Sequence, residues 1–297
     1  MSDQRTVIIT GAGKGLGRAY AHELAARGTA VIVNNRVRAE QSGPASADQV
    51  VEEIRAAGGE AVANYDGVED PECGQRLLDL ALTRYGRLDG VIANAGIQVA
   101  ERFDKMSLAS FAHVQSVNLM GTVHVLQPAL KHLRAAGGGR VVISTSSAGL
   151  YGNYGLAAYA SSKAALVALC RSLAFEGDRV GIKVNAVAPY AETQMTEGAI
   201  PDAVSDRFTP DRVATLVAWL VDPDCDVTGK VLIAGGGGLR LAHPSETSSV
   251  FPGSGDAAAF GDAIKQASDT PLDRTPLDAR SEFLEFASEI ADRVEAP

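Results

Sequence analysis

The amino-acid sequence predicts an α/β fold: a doubly wound parallel sheet of about seven strands in a single domain, followed by a C-terminal helical extension. Two observations indicate this fold. Short β-branched runs alternate with longer helical patterns over residues 1–241. The strand-like runs are apolar throughout rather than alternating, which is typical of strands that helices cover on both faces.

The strand-like runs come in order along residues 1–241, and helical patterns separate them. We expect strands at 6–10, 30–34, 61–65, 88–94, 140–145, 182–187 and 230–234. The stretch GRAYAHELAARG (17–28) has a helical pattern, and so does SADQVVEEIRAAGG (46–59). Because parallel strands need long crossover connections, this alternation favours one sheet with helices on both faces.

Residues 242–297 differ in character and are predicted to form a linker and a C-terminal helical extension. The stretch 243–256 is polar and rich in Ser, Gly and Pro, as linkers are. Six apolar residues then recur near helical spacing: Phe283, Leu284, Phe286, Ala287, Ile290 and Val294. A helix with such a face needs a surface to cover. It is either a packed C-terminal arm or a lid or wall of a substrate pocket.

The composition argues against several classes of function. The chain has 46% hydrophobic and 21% charged residues, as globular enzymes do, and a net charge of −9. That charge argues against binding to nucleic acid or to an anionic membrane. Its three cysteines are far apart, so we expect neither a metal site nor a disulfide framework. With no signal peptide and no run of about 18 apolar residues, we expect a cytoplasmic protein.

The first predicted strand ends in TGAGKGLG (10–17), which predicts a dinucleotide-binding turn. Gly11, Gly15 and Gly17 have GxxxGxG spacing and stand directly before an amphipathic helix. Glycines there permit a tight turn and a close approach of the backbone to a pyrophosphate at the helix N-terminus. This turn indicates a Rossmann-like, dinucleotide-binding catalytic domain over residues 1–241.

The second predicted strand ends in NNR (34–36), where the side chains bear on the choice of nicotinamide cofactor. An acidic residue that binds the ribose hydroxyls is typical of NAD-binding folds at this point. Here the sequence has the neutral Asn35 followed by Arg36. A guanidinium, together with Lys14 of the glycine loop, favours a 2′-phosphate. We therefore expect NADP(H), with NAD(H) as the alternative.

Other polar residues follow later strands, at the carboxyl edge where open α/β sheets bind ligands. Asp66 follows the third strand, where its carboxylate could reach an adenine amino group, and Asn94-Ala95-Gly96 closes the fourth. Tyr159 and Lys163 are four residues apart, so on a helix they share one face. Ordinary turns and chance spacing also produce such residues, so each signal alone leaves a structural role open.

Taken together, the motifs TG-x3-G-x-G at 10–17 and NAG at 94–96 with Asn118, Ser146, Tyr159 and Lys163 resemble the short-chain dehydrogenase/reductase family. The resemblance implies that Tyr159 is the general acid/base. Lys163 and a positive nicotinamide ring would lower the pKa of its phenol from about 10 toward 7. Lys163 would also bind the nicotinamide ribose, Ser146 would hold the substrate oxygen, and Asn118 would position a proton-relaying water. The implied cofactor contacts also include Leu16, Gly67, Pro189 and Thr193.

Within that family the sequence is most similar to the (3R)-3-hydroxyacyl-CoA dehydrogenase modules of peroxisomal multifunctional enzymes. The stretches VVEEIRAAGGEAVANYDGVED (50–70) and SSAGLYGNYGLAAY (146–159) carry this likeness. Asn35 departs from it, because that branch generally has Asp there. The resemblance implies an oxidoreductase of CH–OH groups, with a 3-hydroxyacyl-CoA/3-oxoacyl-CoA pair as the leading substrate. Two alternatives are a hydroxysteroid or other alicyclic alcohol dehydrogenase, and a catalytically silent nucleotide-binding redox sensor.

One predicted helix indicates the assembly of the protein. The stretch AAYASSKAALVALCRSLAFE (157–176) is apolar or small on nearly every side, so we expect burial on more than one face. One face would cover the sheet. The other is expected in a subunit interface of a homodimer or homotetramer.

Overall fold

The seven predicted strands all form, and an eighth strand extends the sheet. Their bounds are Thr6–Thr10 (β1), Ala30–Asn34 (β2), Ala61–Asn64 (β3), Gly90–Ala93 (β4), Gly139–Ser144 (β5), Ile182–Pro189 (β6), Val231–Gly235 (β7) and Gly238–Ala242 (β8). The sheet order is β3-β2-β1-β4-β5-β6-β7-β8, and β1 to β7 run parallel. Ile8 of β1 is opposite Ile32 of β2 and Val91 of β4. β1, β2 and β4 are buried along their whole length, which explains their unbroken apolar runs.

The eighth strand lacks the signal that predicted the others. Gly236 and Gly237 connect it to β7, and both have positive φ, +58° and +85°. Such a two-residue connection makes a hairpin, so β8 returns antiparallel to β7. Most of β8 is exposed and its sequence, GLRLA, alternates instead of forming an apolar run.

Eight α-helices accompany the strands in the described part of the first 241 residues. They are Gly15–Ala26 (α1), Ser46–Ala56 (α2), Cys73–Tyr85 (α3), Leu108–Gln115 (α4), Gly121–Ala135 (α5), Ser147–Tyr151 (α6), Ala157–Asp178 (α7) and Asp211–Leu220 (α8). One cluster of buried residues joins α1, α2 and α8 to β1 and β2. Elsewhere α3 packs against α5, and α7 packs against β6. The predicted doubly wound, Rossmann-like sheet is thereby confirmed.

The computed structural model describes residues 4–37, 45–194, 200–252 and 257–294. The chain divides into two compact units, Met1–Leu241 and Ala242–Pro297. The second unit holds the helices Ala257–Asp269 (α9) and Ala279–Val294 (α10), and Arg274 pairs there with Glu285 at 2.9 Å. Phe283, Leu284, Phe286 and Ile290 of the predicted apolar face are exposed, and the role of this unit stays a prediction. No helix in the described ranges has the length and apolar character that crossing a membrane requires.

Candidate active site

The glycine loop connects the end of β1 to α1, and its shape depends on glycine. Gly11 and Gly15 have φ of +63° and +52°, the left-handed region that favours this residue. A Cβ on Gly17 would overlap the Gly11 carbonyl oxygen and lie 2.7 Å from Asn94 Nδ2. The N-terminus of α1 therefore lies beside an open backbone cradle, which is the arrangement that binds a pyrophosphate.

Asn94 holds the glycine loop against the end of β4. Its Nδ2 donates hydrogen bonds to the carbonyl oxygens of Thr10, at 3.1 Å, and Gly11, at 3.2 Å. The Thr10 hydroxyl oxygen in turn accepts from the backbone N–H groups of Asn94 and Ala95, both at 3.0 Å. The predicted NAG motif is thus a structural brace for the glycine loop as well as part of the cleft wall.

A cleft of about 280 Å³ opens at the carboxyl edge of the sheet. Its lining contains most of the predicted cofactor residues: Gly11, Lys14, Gly15, Leu16, Gly17, Asn35, Asn94, Ala95, Gly96, Tyr159, Lys163, Pro189 and Thr193. Ser144, Thr145 and Gln194 also line it. None of these three was predicted from the sequence, although Ser144 and Thr145 follow the rule that ligands bind at strand carboxyl ends. The glycine cradle at one end and the buried lysine at the other fit a nicotinamide dinucleotide.

Tyr159 and Lys163 lie near the start of α7 and share a face, as their spacing predicted. The Lys163 side chain is buried, and its Nζ donates to the Ser144 carbonyl oxygen at 2.7 Å. The same Nζ lies 5.8 Å from the centroid of the Tyr159 ring. Burial lowers the pKa of Lys163 to about 8. Below about pH 8 the pocket therefore holds an ammonium close to the phenol.

The protein groups alone do not lower the pKa of Tyr159, and the predicted lowering, which depends also on a positive nicotinamide ring, stays a prediction. Burial raises the pKa of Tyr159 above its ordinary value, and the neighbouring Ser146 side chain lowers it by a smaller amount. The lysine ammonium is bound to a carbonyl oxygen of β5 rather than to the phenol. The protein groups therefore favour the protonated phenol.

Ser146 immediately precedes α6 and lies two residues after the end of β5. Its hydroxyl oxygen accepts a hydrogen bond from the backbone N–H of Ala148 at 3.2 Å, which makes it the N-cap of α6. This contact orients the hydroxyl at the carboxyl edge, beside Tyr159. The structure thus brings Ser146 to the tyrosine as the sequence predicted.

Asn118 lies in a π-helical turn, Ser116–Met120, between α4 and α5. Its Oδ1 accepts from the Ile97 N–H at 2.8 Å, while its Nδ2 donates to the Ile97 carbonyl at 3.0 Å and to Ser162 Oγ at 2.9 Å. Ser162 is fully buried and donates to the Tyr159 carbonyl at 2.7 Å. The Asn118 side chain therefore joins the loop after β4 to the turn of α7 that carries the tyrosine. Its predicted role in positioning a water stays a prediction.

We call Asn118, Ser146, Tyr159, Ser162 and Lys163 the tyrosine end of the cleft. Tyr159 and Lys163 line the cleft, and the other three lie behind or beside them. Ser162 was not predicted from the sequence, because a serine in an apolar helix carries no signal of its own. Tyr151 and Tyr154, by contrast, are 72% and 82% exposed, so neither packs inside the chain. Of the three tyrosines in residues 146–159, Tyr159 is therefore the one that lines the cleft.

The other end of the cleft lies where β2 and β3 finish, and we call it the β2–β3 end. Asn35 lines the cleft, and its Nδ2 donates to Ser46 Oγ at 2.8 Å. Arg36 and Asp66 do not line it, and neither does Gly67. Arg36 pairs with Glu69, with 2.8 Å between Nη1 and Oε1. Asp66 Oδ2 accepts from Arg76 Nε at 3.0 Å and from Asn64 Nδ2 at 2.9 Å.

These contacts bear directly on the predicted cofactor roles. The predicted cofactor roles require the Arg36 guanidinium and the Asp66 carboxylate to be available to a ligand. In the structure each has a protein partner of opposite charge, Glu69 for Arg36 and Arg76 for Asp66. Contact of Arg36 with a 2′-phosphate, or of Asp66 with an adenine, stays a prediction. For Arg36 that contact must compete with the existing ion pair.

A glycine cradle, a buried lysine and a tyrosine at the carboxyl edge of a doubly wound sheet define a dinucleotide-dependent oxidoreductase. A sequence profile described as short chain dehydrogenase matches residues 5–203. The chain belongs to the short-chain dehydrogenase/reductase family, acts on CH–OH groups and binds NAD(P).

Individual relatives agree with this family. A short-chain type dehydrogenase/reductase of Mycobacterium tuberculosis is 43% identical over 239 residues, which are 80% of this chain and 84% of that protein. Peroxisomal multifunctional enzyme type 2 of Mus musculus is 40% identical over 79% of this chain, which spans only 32% of the mouse enzyme. The cis-4-hydroxycyclohexanecarboxylate dehydrogenase of Sinomonas cyclohexanicum is 32% identical over 79% of this chain and 96% of that enzyme.

The solved structures show the same likeness. The crystal structure of a short chain dehydrogenase from Mycobacterium avium has a TM-score of 0.81 and 35% identity. The match covers 93% of this chain and 98% of that one.

Proposed function

We propose that the protein interconverts a (3R)-3-hydroxyacyl-CoA and the corresponding 3-oxoacyl-CoA with NADP(H). The observation that carries the chemistry is the placement of Tyr159 in the cleft with Lys163 and Ser146 beside it. The resemblance of the sequence to hydroxyacyl-CoA dehydrogenase modules supports the acyl-CoA substrate, and the 40% identity to the mouse multifunctional enzyme agrees with that resemblance. This chain spans about a third of the mouse enzyme, so we propose none of that enzyme's other activities for this chain.

The residues of the tyrosine end divide the work of proton transfer. When bound, the nicotinamide supplies hydride exchange with the carbinol carbon. In the reductive direction Tyr159 Oη donates a proton to the substrate oxygen, and in the oxidative direction it accepts one. Ser146 Oγ donates a hydrogen bond to the same oxygen. The Lys163 ammonium offsets the negative charge that develops on the phenol oxygen.

The proposed preference for NADP(H) depends on the β2–β3 end. Asn35 places a neutral amide where a carboxylate would repel a 2′-phosphate. Lys14 lines the cleft, and Arg36 follows Asn35 directly. The Glu69 partner of Arg36 opposes this preference, so NAD(H) is the alternative cofactor.

A second candidate substrate is an alicyclic alcohol. The specific support is the cyclohexanecarboxylate dehydrogenase among the relatives, whose printed substrate is a ring alcohol without CoA. A hydroxysteroid belongs to the same class. Free CoA distinguishes the two: it should compete with an acyl-CoA substrate and leave turnover of a ring alcohol unaffected.

The first test is the loss of reduced-nicotinamide absorbance when a medium-chain 3-oxoacyl-CoA is added, with NADPH and NADH in parallel. Faster turnover with NADPH is the expected result. A preference for NADH would contradict the proposed cofactor but would still support the proposed oxidoreductase activity. No turnover with either would contradict the acyl-CoA substrate, and ring ketones would then be assayed. Nucleotide binding without turnover of any ketone would favour the redox sensor.

We also propose a homodimer or homotetramer and a cytoplasmic location. One side of α7 is buried against the sheet, whereas Leu169 and Leu173 on it line a groove shared with Val123 and Leu130 of α5, and Phe175 is 54% exposed. A second subunit that covers this apolar groove would remove it from water. Sedimentation as a monomer at micromolar concentration would contradict the oligomer.

A further inference from the structure

Arg36, the proposed contact of a 2′-phosphate, forms an ion pair with Glu69. Arg36 directly follows Asn35, which lines the cleft. Its Nη1 lies 2.8 Å from Glu69 Oε1, and both side chains are about one-third exposed, 36% and 32%. Arg36 is therefore adjacent to a residue of the cleft lining, and its charge is offset by a carboxylate.

The loop that carries Glu69 is held in place by contacts of its neighbours. Val68 is buried against Gly121 of α5, where any Cβ would collide with it. The Val68 carbonyl contacts His124 Nδ1 at 3.1 Å, and the Asp70 N–H donates to the Gly67 carbonyl at 3.1 Å. At the other side, Asn34 Nδ2 donates to the Asp66 carbonyl at 2.9 Å. Glu69 is thus presented to Arg36 from an anchored turn.

Glu69 depends on Arg36 more than an ordinary surface carboxylate would. Its Oε2 is buried and has no hydrogen-bond partner within the described ranges. Its carboxylate lies over Gly67, where a Cβ would come within 2.8 Å of it. Moving the guanidinium onto a phosphate would leave this partly buried carboxylate without its cation, which is unfavourable.

We propose that Glu69 is a selectivity-determining residue that acts through Arg36: it restrains the guanidinium and lowers the preference of the cleft for a 2′-phosphorylated nucleotide. This inference rests on the proposed role of Arg36 in NADP(H) binding. It places the control of cofactor choice in the loop after β3, on a residue that does not line the cleft.

Calorimetric titration with 2′,5′-ADP and 5′-AMP tests the proposal without turnover, because the two probes differ only in the 2′-phosphate. The ratio of their affinities is measured for the wild type, Glu69→Gln, Arg36→Met and the double variant. Glu72→Gln is the matched control, since it removes the same charge from an exposed position three residues further along. We expect Glu69→Gln to raise the ratio in favour of 2′,5′-ADP about fivefold, and Glu72→Gln to leave it unchanged.

The double variant decides whether Glu69 acts through Arg36. In the Arg36→Met background, Glu69→Gln should add nothing to the ratio. An equal gain in both backgrounds would overturn the proposal, because the carboxylate would then act directly on the phosphate. If the affinity ratio is unchanged in Glu69→Gln but falls in Arg36→Met, the role of Glu69 is overturned. The proposed role of Arg36 in NADP(H) binding would then still stand. No effect of Arg36→Met would overturn both.

Discussion

The two ends of the cleft are built in opposite ways. At the tyrosine end, Asn118, Ser162 and Lys163 are buried, and all of them bind backbone carbonyl oxygens or one another. At the β2–β3 end, Arg36 and Glu69 are partly exposed and interact as a charge pair. The tyrosine end is therefore held by contacts that water does not replace, whereas the β2–β3 end is held by contacts that a charged ligand can exchange.

This difference separates proton transfer, at the tyrosine end, from the choice of nucleotide, at the β2–β3 end. Proton transfer requires fixed distances, and the buried hydrogen bonds around Tyr159 supply them. The choice between two nucleotides that differ by one phosphate requires only a shift in local charge. Substitutions at the tyrosine end should therefore affect stability as well as turnover, while those at the β2–β3 end should affect selectivity with little change in stability.

The largest expected effect on stability concerns Lys163. Burial lowers its pKa from 10.5 to about 8, so between these pH values the unfolded chain binds more protons than the folded protein. The contribution of this group to the free energy of unfolding therefore increases as the pH rises from 8 toward 10.5, by about 3 kcal/mol. Urea unfolding at a series of pH values should show this increase in the wild type relative to Lys163→Met. Parallel pH profiles for the two proteins would contradict it.

A smaller effect is expected from Ser162, which joins Asn118 to the turn of α7 that carries Tyr159. Ser162→Ala leaves one buried amide hydrogen of Asn118 without its acceptor, and this should lower the free energy of unfolding by about 1–2 kcal/mol. The matched control is Ser172→Ala, at an exposed position of the same helix. Equal stability changes in both variants would show that the buried network does not hold the tyrosine end.

The smallest effect on stability is expected at the β2–β3 end. Because the pair of Arg36 and Glu69 is partly exposed, Glu69→Gln should change the free energy of unfolding by less than about 1 kcal/mol. The same variant is expected to shift nucleotide selectivity. Thermal denaturation measured beside the nucleotide titrations checks both statements on one sample. A large loss of stability would remove the contrast between the two ends.

The sequence predicted most of the fold because its central strands are buried on both faces. β1, β2 and β4 read as apolar runs for that reason, whereas the exposed β8 carried no such signal and was missed. The glycine loop and the pair of Tyr159 and Lys163 were predicted because their function depends on local spacing.

What the sequence did not predict depends on contacts between distant residues. Ser162 is 44 positions from Asn118, and Glu69 is 33 positions from Arg36, so no local pattern announces either partnership. The effect of burial on the Tyr159 pKa was not predicted, for a related reason. The expected cation, Lys163, is present, but its ammonium binds the carbonyl oxygen of Ser144. Burial is then the largest influence on the pKa of the Tyr159 phenol.

The role of Tyr159 as the acid/base is tested by comparing Tyr159→Phe with Tyr154→Phe, with turnover of a reducible ketone and the Kd for NADPH as the two measurements. Both changes remove one phenol oxygen, but Tyr159 lines the cleft and Tyr154 is exposed. Tyr159→Phe should lower kcat by about 10²–10⁴-fold with the Kd unchanged, and Tyr154→Phe should match the wild type. Wild-type turnover in Tyr159→Phe, or loss of NADPH binding together with activity, would contradict the assignment of Tyr159 as the acid/base.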